Sequence, residues 1–455
     1  MAEIVDVELA LRSAGTGYTA DMAVDKGRDS RRKYGPFPVE IDLLRLRELS
    51  GDASAYGQAL TAMLFESDGL REVLVGASWA AEERGVPLRL RLWLASGAED
   101  LHALRWELLT LPGRSEPLCT REDILFSRFL PANQDALPRP RGALRALAAF
   151  ANPTDLPDSL APIDVPRWKE HARTGLAGMD VDWLPATENE RCTLDRLAQR
   201  IPGHDVLFLV CHGKMIRGEG WLVLENPDGS HARVPAGDLT RRLAGASRLP
   251  RLAVLVVCES AGTTGVTDAS SIEALGAIAP RLVEAGIPAV LAMQDGLTFE
   301  SAEMLLPALF SAIQQDGIID RAAAVARRAI LGRPDEAAPV LLMSLVSGRL
   351  WEGEPAPEPA DEPAVPVSDP KPEPPKNRVP AAQVDQRVLY AAMTGEAFEL
   401  QDLRELCFLL GVDWENLRGE TKPAKAMAMI RYFTSRGIYA QLVEAVREAR
   451  PSLEL

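Results

Sequence analysis

Residues 252–265 read LAVLVVCESAGTTG. Six apolar residues, several of them β-branched, run directly into Cys258, after which the chain turns small and polar. A short continuous apolar run bounded by turn residues predicts a strand buried on both faces of a largely parallel sheet. In open α/β sheets, ligands and reacting groups gather in the crevice outside the carboxyl ends of the strands. Residues 205–213, DVLFLVCHG, repeat the outline and deliver His212 at their end. The 46 residues separating His212 from Cys258 leave room for the strand–helix crossover that parallel neighbours require. The two stretches therefore predict adjacent strands that set a cysteine beside a histidine.

Composition narrows the setting. At 455 residues the chain predicts two or three domains rather than one core. A net charge of −15 argues against a broad electrostatic surface for nucleic acid. The amino-terminal MAEIVDVELA has neither a basic n-region nor a long apolar run, so no secretory signal is expected. No window approaches the roughly 18 apolar residues of a membrane span, and no membrane partner is expected. Cys119, Cys192, Cys211, Cys258 and Cys407 include no CxxC pair, which argues against a disulfide framework and a structural zinc site. No metal or other cofactor is called for. A reducing, cytoplasmic location is expected, where a reactive thiol stays reduced.

The first 142 residues mix strands and helices. Residues 3–11, 18–24 and 37–43 alternate as half-buried strands do. Residues 53–84 have helical apolar spacing, 86–95 alternate again, 98–109 predict a helix, and 125–130 a short strand. His102 in that helix is read as a packing residue. The Pro/Arg-rich PRPRG ending at Gly142 marks a boundary, and from Leu144 strands and helices alternate to residue 352. Strands are expected at 146–151, 179–184, 205–211, 221–224, 252–257, 288–293 and 340–345, the last closing the sheet. Helices are expected at 193–201, 235–244, 270–284, 299–315 and 320–331. The fold class is α/β, a mostly parallel sheet flanked by helices with an α+β amino-terminal half. Residues 353–380, dense in proline and acids, predict an extended spacer. Residues 381–455 predict a small all-α bundle, with Gly411 and Gly437 where helix-stopping glycines stand.

A thiol attacks a peptide carbonyl only when a base can take its proton. A histidine within hydrogen-bond reach supplies that base and later protonates the leaving amine. Backbone N–H groups of Gly213 and Cys258, at the same two strand ends, fit the need for oxyanion donors. A lone cysteine at a strand end is usually a small buried hydrophobe, so it is the pairing that points to chemistry. Cys211 competes, but it falls within the apolar run and points away from its neighbour His212. Cys407 lies on an apolar helix face, Cys192 opens a helix and Cys119 stands in a loop. A serine elbow at Ser260 needs its histidine downstream, and His231 is the last histidine in the chain.

These residues resemble the CHAT proteases, bacterial relatives of caspases and separase. FLVCHG is similar to the histidine motif of that family, VVCESAGTTG to its cysteine motif, and residues 88–109 and 285–313 to the flanking regions. The resemblance implies His212 as base, Cys258 as nucleophile, and an oxyanion hole from the N–H groups of Gly213 and Cys258. The acid that metacaspases carry two residues before the cysteine is replaced by Val256, so substrate preference does not carry over. Asp155 and Asp295, in loops after strands, and Glu259 beside the nucleophile are candidates to line a pocket for a basic substrate residue.

The tail, through LCFLLGVDWENL and the G-x-T-K at Gly419–Lys422, resembles the effector-associated, death-like domains of bacterial conflict systems. That resemblance implies binding to a like domain on a partner protein. The expected function is a cysteine endopeptidase that cuts a partner protein in a bacterial immune or cell-death pathway. The rival expectation is an inactive pseudo-protease that acts only as an adaptor.

Overall fold

Strands from both sides of Gly142 join one eleven-stranded sheet. The computed structural model describes residues 4–256, 269–352 and 384–450, apart from 16, 28–30, 96–97, 132–136, 158–159, 188, 217–218, 294–296, 396–397, 399, 411, 413, 415–416, 418, 420 and 437. The chain divides into two units, Met1–Ala360 and Asp361–Leu455. The spacer expected at 353–380 lies outside the described residues, as do Gly411 and Gly437.

In the amino-terminal half, β1 (Val5–Ala14), β2 (Gly17–Asp25) and β3 (Arg32–Val39) form an antiparallel meander. The third strand starts and ends earlier than alternation alone predicts. Asp42 stops it by capping α1 (Leu43–Glu48), accepting a hydrogen bond from the Arg45 N–H. The continuous helix predicted over 53–84 is two helices, α2 (Ala53–Leu64) and α3 (Asp68–Arg84), and the second ends on the left-handed Gly85. β4 (Leu88–Leu94) lies parallel to β1 and to β5 (Ile124–Phe129). Its alternation does not mark a solvent face, because Arg89 and Arg91 are buried against Asp320 and Asp6. The helix predicted at 98–109 shrinks to one turn, α4 (Glu99–His102), and a 3₁₀ turn at Trp106–Leu108. His102 is half-buried, with its Nε2 3.3 Å from the Ala95 carbonyl.

Strand β6 (Arg139–Pro140) precedes the boundary, and the second half follows with β7 (Arg145–Phe150), α5 (Val165–Gly175), β8 (Asp180–Leu184), α6 (Leu194–Arg200) and β9 (Val206–Val210). Helix α5 has no counterpart among the predicted elements, although Asp164 caps it and a proline follows in its first turn. Next, β10 (His212–Ile216), β11 (Glu219–Glu225) and β12 (His231–Pro235) form a separate antiparallel sheet. After α7 (Ala236–Leu243) come β13 (Leu252–Val256), α8 (Ala269–Glu284) and β14 (Ala289–Met293). Helices α9 (Phe299–Asp316) and α10 (Ile319–Ala329) lead to β15 (Pro339–Met343) and β16 (Trp351–Glu352).

The large sheet runs β3-β2-β1-β4-β5-β15-β14-β13-β9-β7-β8. β15 was expected to close it and instead stands inside, antiparallel to β14 and parallel to β5, so that it joins the two halves. The reason is the helix pair before it. Gly317 and Ile318 alone separate α9 from α10, and two helices turned back on each other return the chain to the opposite end of the sheet.

Central strands are buried on both faces. Phe150, Phe208 and Val254 meet α5, α9 and α10 on one side, while Leu207, Leu209 and Leu255 meet α6, α7 and α8 on the other. Each large side chain so removed from water contributes about 1.5–3 kcal/mol. Apolar runs of this kind leave register weakly marked, and buried Asp205 supplies it. Its backbone pairs with Arg145 through N–H to carbonyl at 2.8 Å, and its Oδ2 accepts from the Arg145 N–H at 3.1 Å. Its carbonyl accepts from the Arg251 N–H at 2.8 Å, and its Oδ1 from Arg248 at 2.9 Å. One residue therefore pins β7, β9 and β13 at their entry ends.

The second unit comprises α11 (Gln386–Thr394), α12 (Leu400–Leu409), α13 (Lys422–Ser435) and α14 (Tyr439–Ala449) around Leu389, Leu403, Met429, Phe433 and Leu442. Two lysines of α13 stitch the loops. Lys425, buried, donates to the Trp414 and Leu417 carbonyls at 2.8 Å each, and Lys422 donates to that of Gly395 at 2.7 Å.

Asp205→Ala should cost about 1–3 kcal/mol of stability, since it removes the acceptor of the part-buried Arg145 N–H at the start of β7. The measurement is a lower urea midpoint at unchanged slope; an unchanged midpoint would show that the register is held elsewhere.

Candidate functional site

The chain leaves β7 toward β8 on one side and returns as β9 on the other. That reversal opens a crevice above the carboxyl ends of β7 and β9, the place where open α/β sheets bind ligands. His212 stands two residues past β9, and the long loop 151–164 follows β7. They meet there: His212 Nε2 lies 2.9 Å from the carbonyl oxygen of Ala161. A carbonyl only accepts, so Nε2 carries the proton and donates. In the neutral ring Nδ1 is then the acceptor, and the contact fixes which nitrogen can serve as a base.

Burial does the rest. His212 is only 2 % exposed, and desolvation pulls its pKa below the ordinary 6.5, against an opposing lift from the Ala161 hydrogen bond. The imidazole is thus neutral at pH 7, the state a general base needs. Gly213, also buried, follows it in β10 and pairs with Leu222.

Two residues beyond β9 in this direction the chain has already left the large sheet. His212 was expected at the end of a strand and also opens the next one, since Cys211 carries the chain from β9 into the antiparallel sheet of β10–β12. β13 runs parallel to β9, with Leu252 beside Val206 and Val256 beside Val210. The adjacency predicted from the two apolar runs is therefore present. Cys258, Glu259 and Asp295 lie outside the described residues.

The other four cysteines are all buried. Burial pushes the thiols of Cys119 and Cys211 up to about 12 and that of Cys407 to about 11, and it raises Cys192 well above its ordinary range. None forms a thiolate near neutrality, so none meets the requirement for a nucleophile. Cys211 belongs to the core face of Leu207 and Leu209, the opposite orientation to His212 that strand alternation requires.

Asp155 sits in the loop after β7, as expected, but its carboxylate is engaged. Oδ1 accepts from the His231 N–H, and Oδ2 lies 3.0 Å from His231 Nδ1. Slight desolvation pushes its carboxyl up, and the His231 contacts more than reverse this and leave it below the usual range. The Ala161 carbonyl was not singled out from the sequence, because a backbone acceptor has no side-chain signature. The only available signal was an unusually long loop after a buried strand, a common position for functional groups.

Among the described residues, no group of three His, Cys, Asp or Glu side chains is arranged to hold a metal, and no helix is long and apolar enough to cross a membrane.

Two family models match the sequence. One, described as CHAT domain, covers residues 54–372, and another, Effector-associated domain 7, covers residues 392–451. No curated protein matches the chain.

The imidazole offers a direct check. In the full chain carrying Cys258→Ala, nitrogen-15 NMR should find His212 as the Nε2–H tautomer at pH 7, titrating below 6.5. Because the folded-state pKa is depressed, the unfolded chain takes the proton first, and His212 should cost stability as pH falls below 6.5. A charged His212 at pH 7 would rule out this base.

Proposed function

The chain belongs to the CHAT domain family of caspase-like proteases, and from that premise we propose that it is a cysteine endopeptidase with His212 as base and Cys258 as nucleophile. One observation carries the proposal: a buried, neutral histidine, its proton fixed on Nε2 by Ala161, stands at the carboxyl end of β9 beside β13. β13 lies beside β9, with Leu252 opposite Val206 and Val256 opposite Val210, and in the sequence Cys258 follows β13 by two residues as His212 follows β9. The burial of the other four cysteines supports the same choice of nucleophile.

The steps follow from these roles. His212 Nδ1 takes the Cys258 thiol proton as sulfur bonds to the scissile carbonyl carbon, and the oxygen becomes an oxyanion. The N–H groups of Gly213 and Cys258 stabilise that charge. As the C–N bond breaks, the imidazolium returns its proton to the leaving amine. Water, deprotonated by the same nitrogen, then releases the acyl group from sulfur. Placing the base in a dry crevice strengthens each of these charge interactions.

The effector-associated tail points to protein–protein interaction. We assign it the recruitment of this protease to a partner bearing a like, death-like domain, in a cytoplasmic bacterial defence or cell-death pathway. A tethered module raises the effective concentration of protease at whatever the tail binds.

Cys258→Ala and His212→Ala should each abolish proteolysis, a loss of at least about 10³-fold for members of such a catalytic unit. A thiol-alkylating probe should label Cys258 in the wild type and far more slowly in His212→Ala. Full activity in Cys258→Ala would refute the nucleophile, and an inert Cys258 thiol would favour an adaptor without catalysis. Deleting residues 381–455 should preserve peptide cleavage and lose partner recruitment; loss of peptide cleavage would make the tail part of the catalytic fold.

A further inference from the structure

We propose that a narrow cleft on the outer face of β10–β12, beside His212, binds the carboxylate of an acidic side chain in the substrate polypeptide. Its use in cleavage rests on the protease reading above, whereas its chemistry rests on its own side chains.

Register fixes which residues share this face. On β10 and β11, His212 stands opposite Val223 and Lys214 opposite Trp221, and on β12 Arg233 stands opposite Val223. Opposed residues of an antiparallel pair project to one side, as do residues two apart along a strand. The other face gives Leu222, Leu224 and Val234 to the core. The outer face is roofed by the loop after β7, and Leu160, Lys214, Trp221, Val223, His231 and Arg233 line one cleft. Leu160 immediately precedes Ala161, which holds His212, so the cleft adjoins the base.

Its chemistry is one-sided. Lys214 and Arg233 have no hydrogen bond or ion pair among the described residues, although acidic residues outnumber basic ones in the chain, 65 to 50. Trp221 adds a buried indole N–H with no partner among the described residues. All three groups only donate. Acids of the same face are already engaged: Asp155 by His231, and Glu225 by the Cys192 N–H at 2.6 Å. Glu219 stands at the outer end of β11, two residues beyond Trp221. Donors without free acceptors among the described residues, between apolar Val223 below and Leu160 above, suit a carboxylate, through charge-assisted hydrogen bonds strengthened by the low polarity of the walls.

Geometry bounds the substrate position. Lys214 is two residues from His212 along β10, and an extended peptide rises about 3.3 Å per residue. A side chain reaching the cleft thus belongs to a residue within about three positions of the scissile bond. The pocket differs from one built on Asp155, whose carboxylate His231 holds.

Two measurements on the full chain test the proposal. With Cys258→Ala, fluorescence anisotropy compares a labelled decapeptide of alternating glycine and glutamate with its glycine–glutamine counterpart. The glutamate peptide should bind about tenfold tighter, and Lys214→Glu with Arg233→Glu should erase the difference. With the active chain, mass spectrometry of a cleaved proteome-derived peptide library should find Asp or Glu enriched at one fixed position within about three residues of the cut. The charge-reversed pair should turn that preference to Lys or Arg, and Lys214→Gln with Arg233→Gln should remove it without reversal; thermal melts check that each variant folds. Selective binding without cleavage would keep the cleft and sink the protease reading. Cleavage with no acidic preference, or a preference unmoved by reversal, would overturn the cleft alone. Equal affinity for the two decapeptides would also overturn it.

Discussion

The buried Asp205 holds the geometry on which the site depends. Strands β7, β9 and β13 are apolar on both faces, and such strands slide past one another at little cost in burial. Asp205 removes that freedom by bonding, through backbone and carboxylate, to Arg145 at the start of β7 and to Arg248 and Arg251 just before β13. Everything at the carboxyl ends inherits this alignment. A one-residue slip of β9 would turn His212 away from the loop after β7 and separate Nε2 from the Ala161 carbonyl. The side chain that aligns these strands is thus at the far end of β9 from the candidate site.

Within that frame, the useful property of His212 comes from two opposing effects. Desolvation keeps the ring neutral, and the carbonyl of Ala161 keeps its proton on Nε2. Neither effect alone would prepare Nδ1: a neutral ring in the other tautomer would offer its lone pair to a carbonyl that has only lone pairs. The same burial acts in reverse on the cysteines. At Cys119, Cys192, Cys211 and Cys407 it suppresses the thiolate and leaves four small hydrophobic side chains. One physical cause makes a histidine ready and four cysteines inert.

The helical tail solves a different problem. A unit of this size buries little apolar surface for its length, and here two lysines do work that caps and core leave undone. Lys425 satisfies two carbonyls between α12 and α13 while its ammonium lies 4.5 Å from the centre of the Trp414 ring. Lys422 closes the link between α11 and α12. The motif G-x-T-K is therefore in part a folding device, with Thr421 at the amino end of α13 and Lys422 reaching back across the bundle.

The sequence by itself determined the alternating α/β class, the adjacency of β9 and β13, the candidate histidine and the helical tail. Each is local: apolar run length, period and turn residues carry it. Family resemblance added roles to those positions, and the matches to a CHAT domain and Effector-associated domain 7 agree with it. Only the tertiary structure decided the rest. β15 entered the interior of the sheet because α9 and α10 fold back on each other, an event that no strand pattern encodes. The three-stranded sheet of β10–β12 made the stretch after His212, to which no element was assigned from sequence, a wall of the crevice. The orienting carbonyl of Ala161 and the commitment of Asp155 to His231 join residues 51 and 76 positions apart. Contacts at such distances depend on where strands come to rest, and their residue types carry no mark of it.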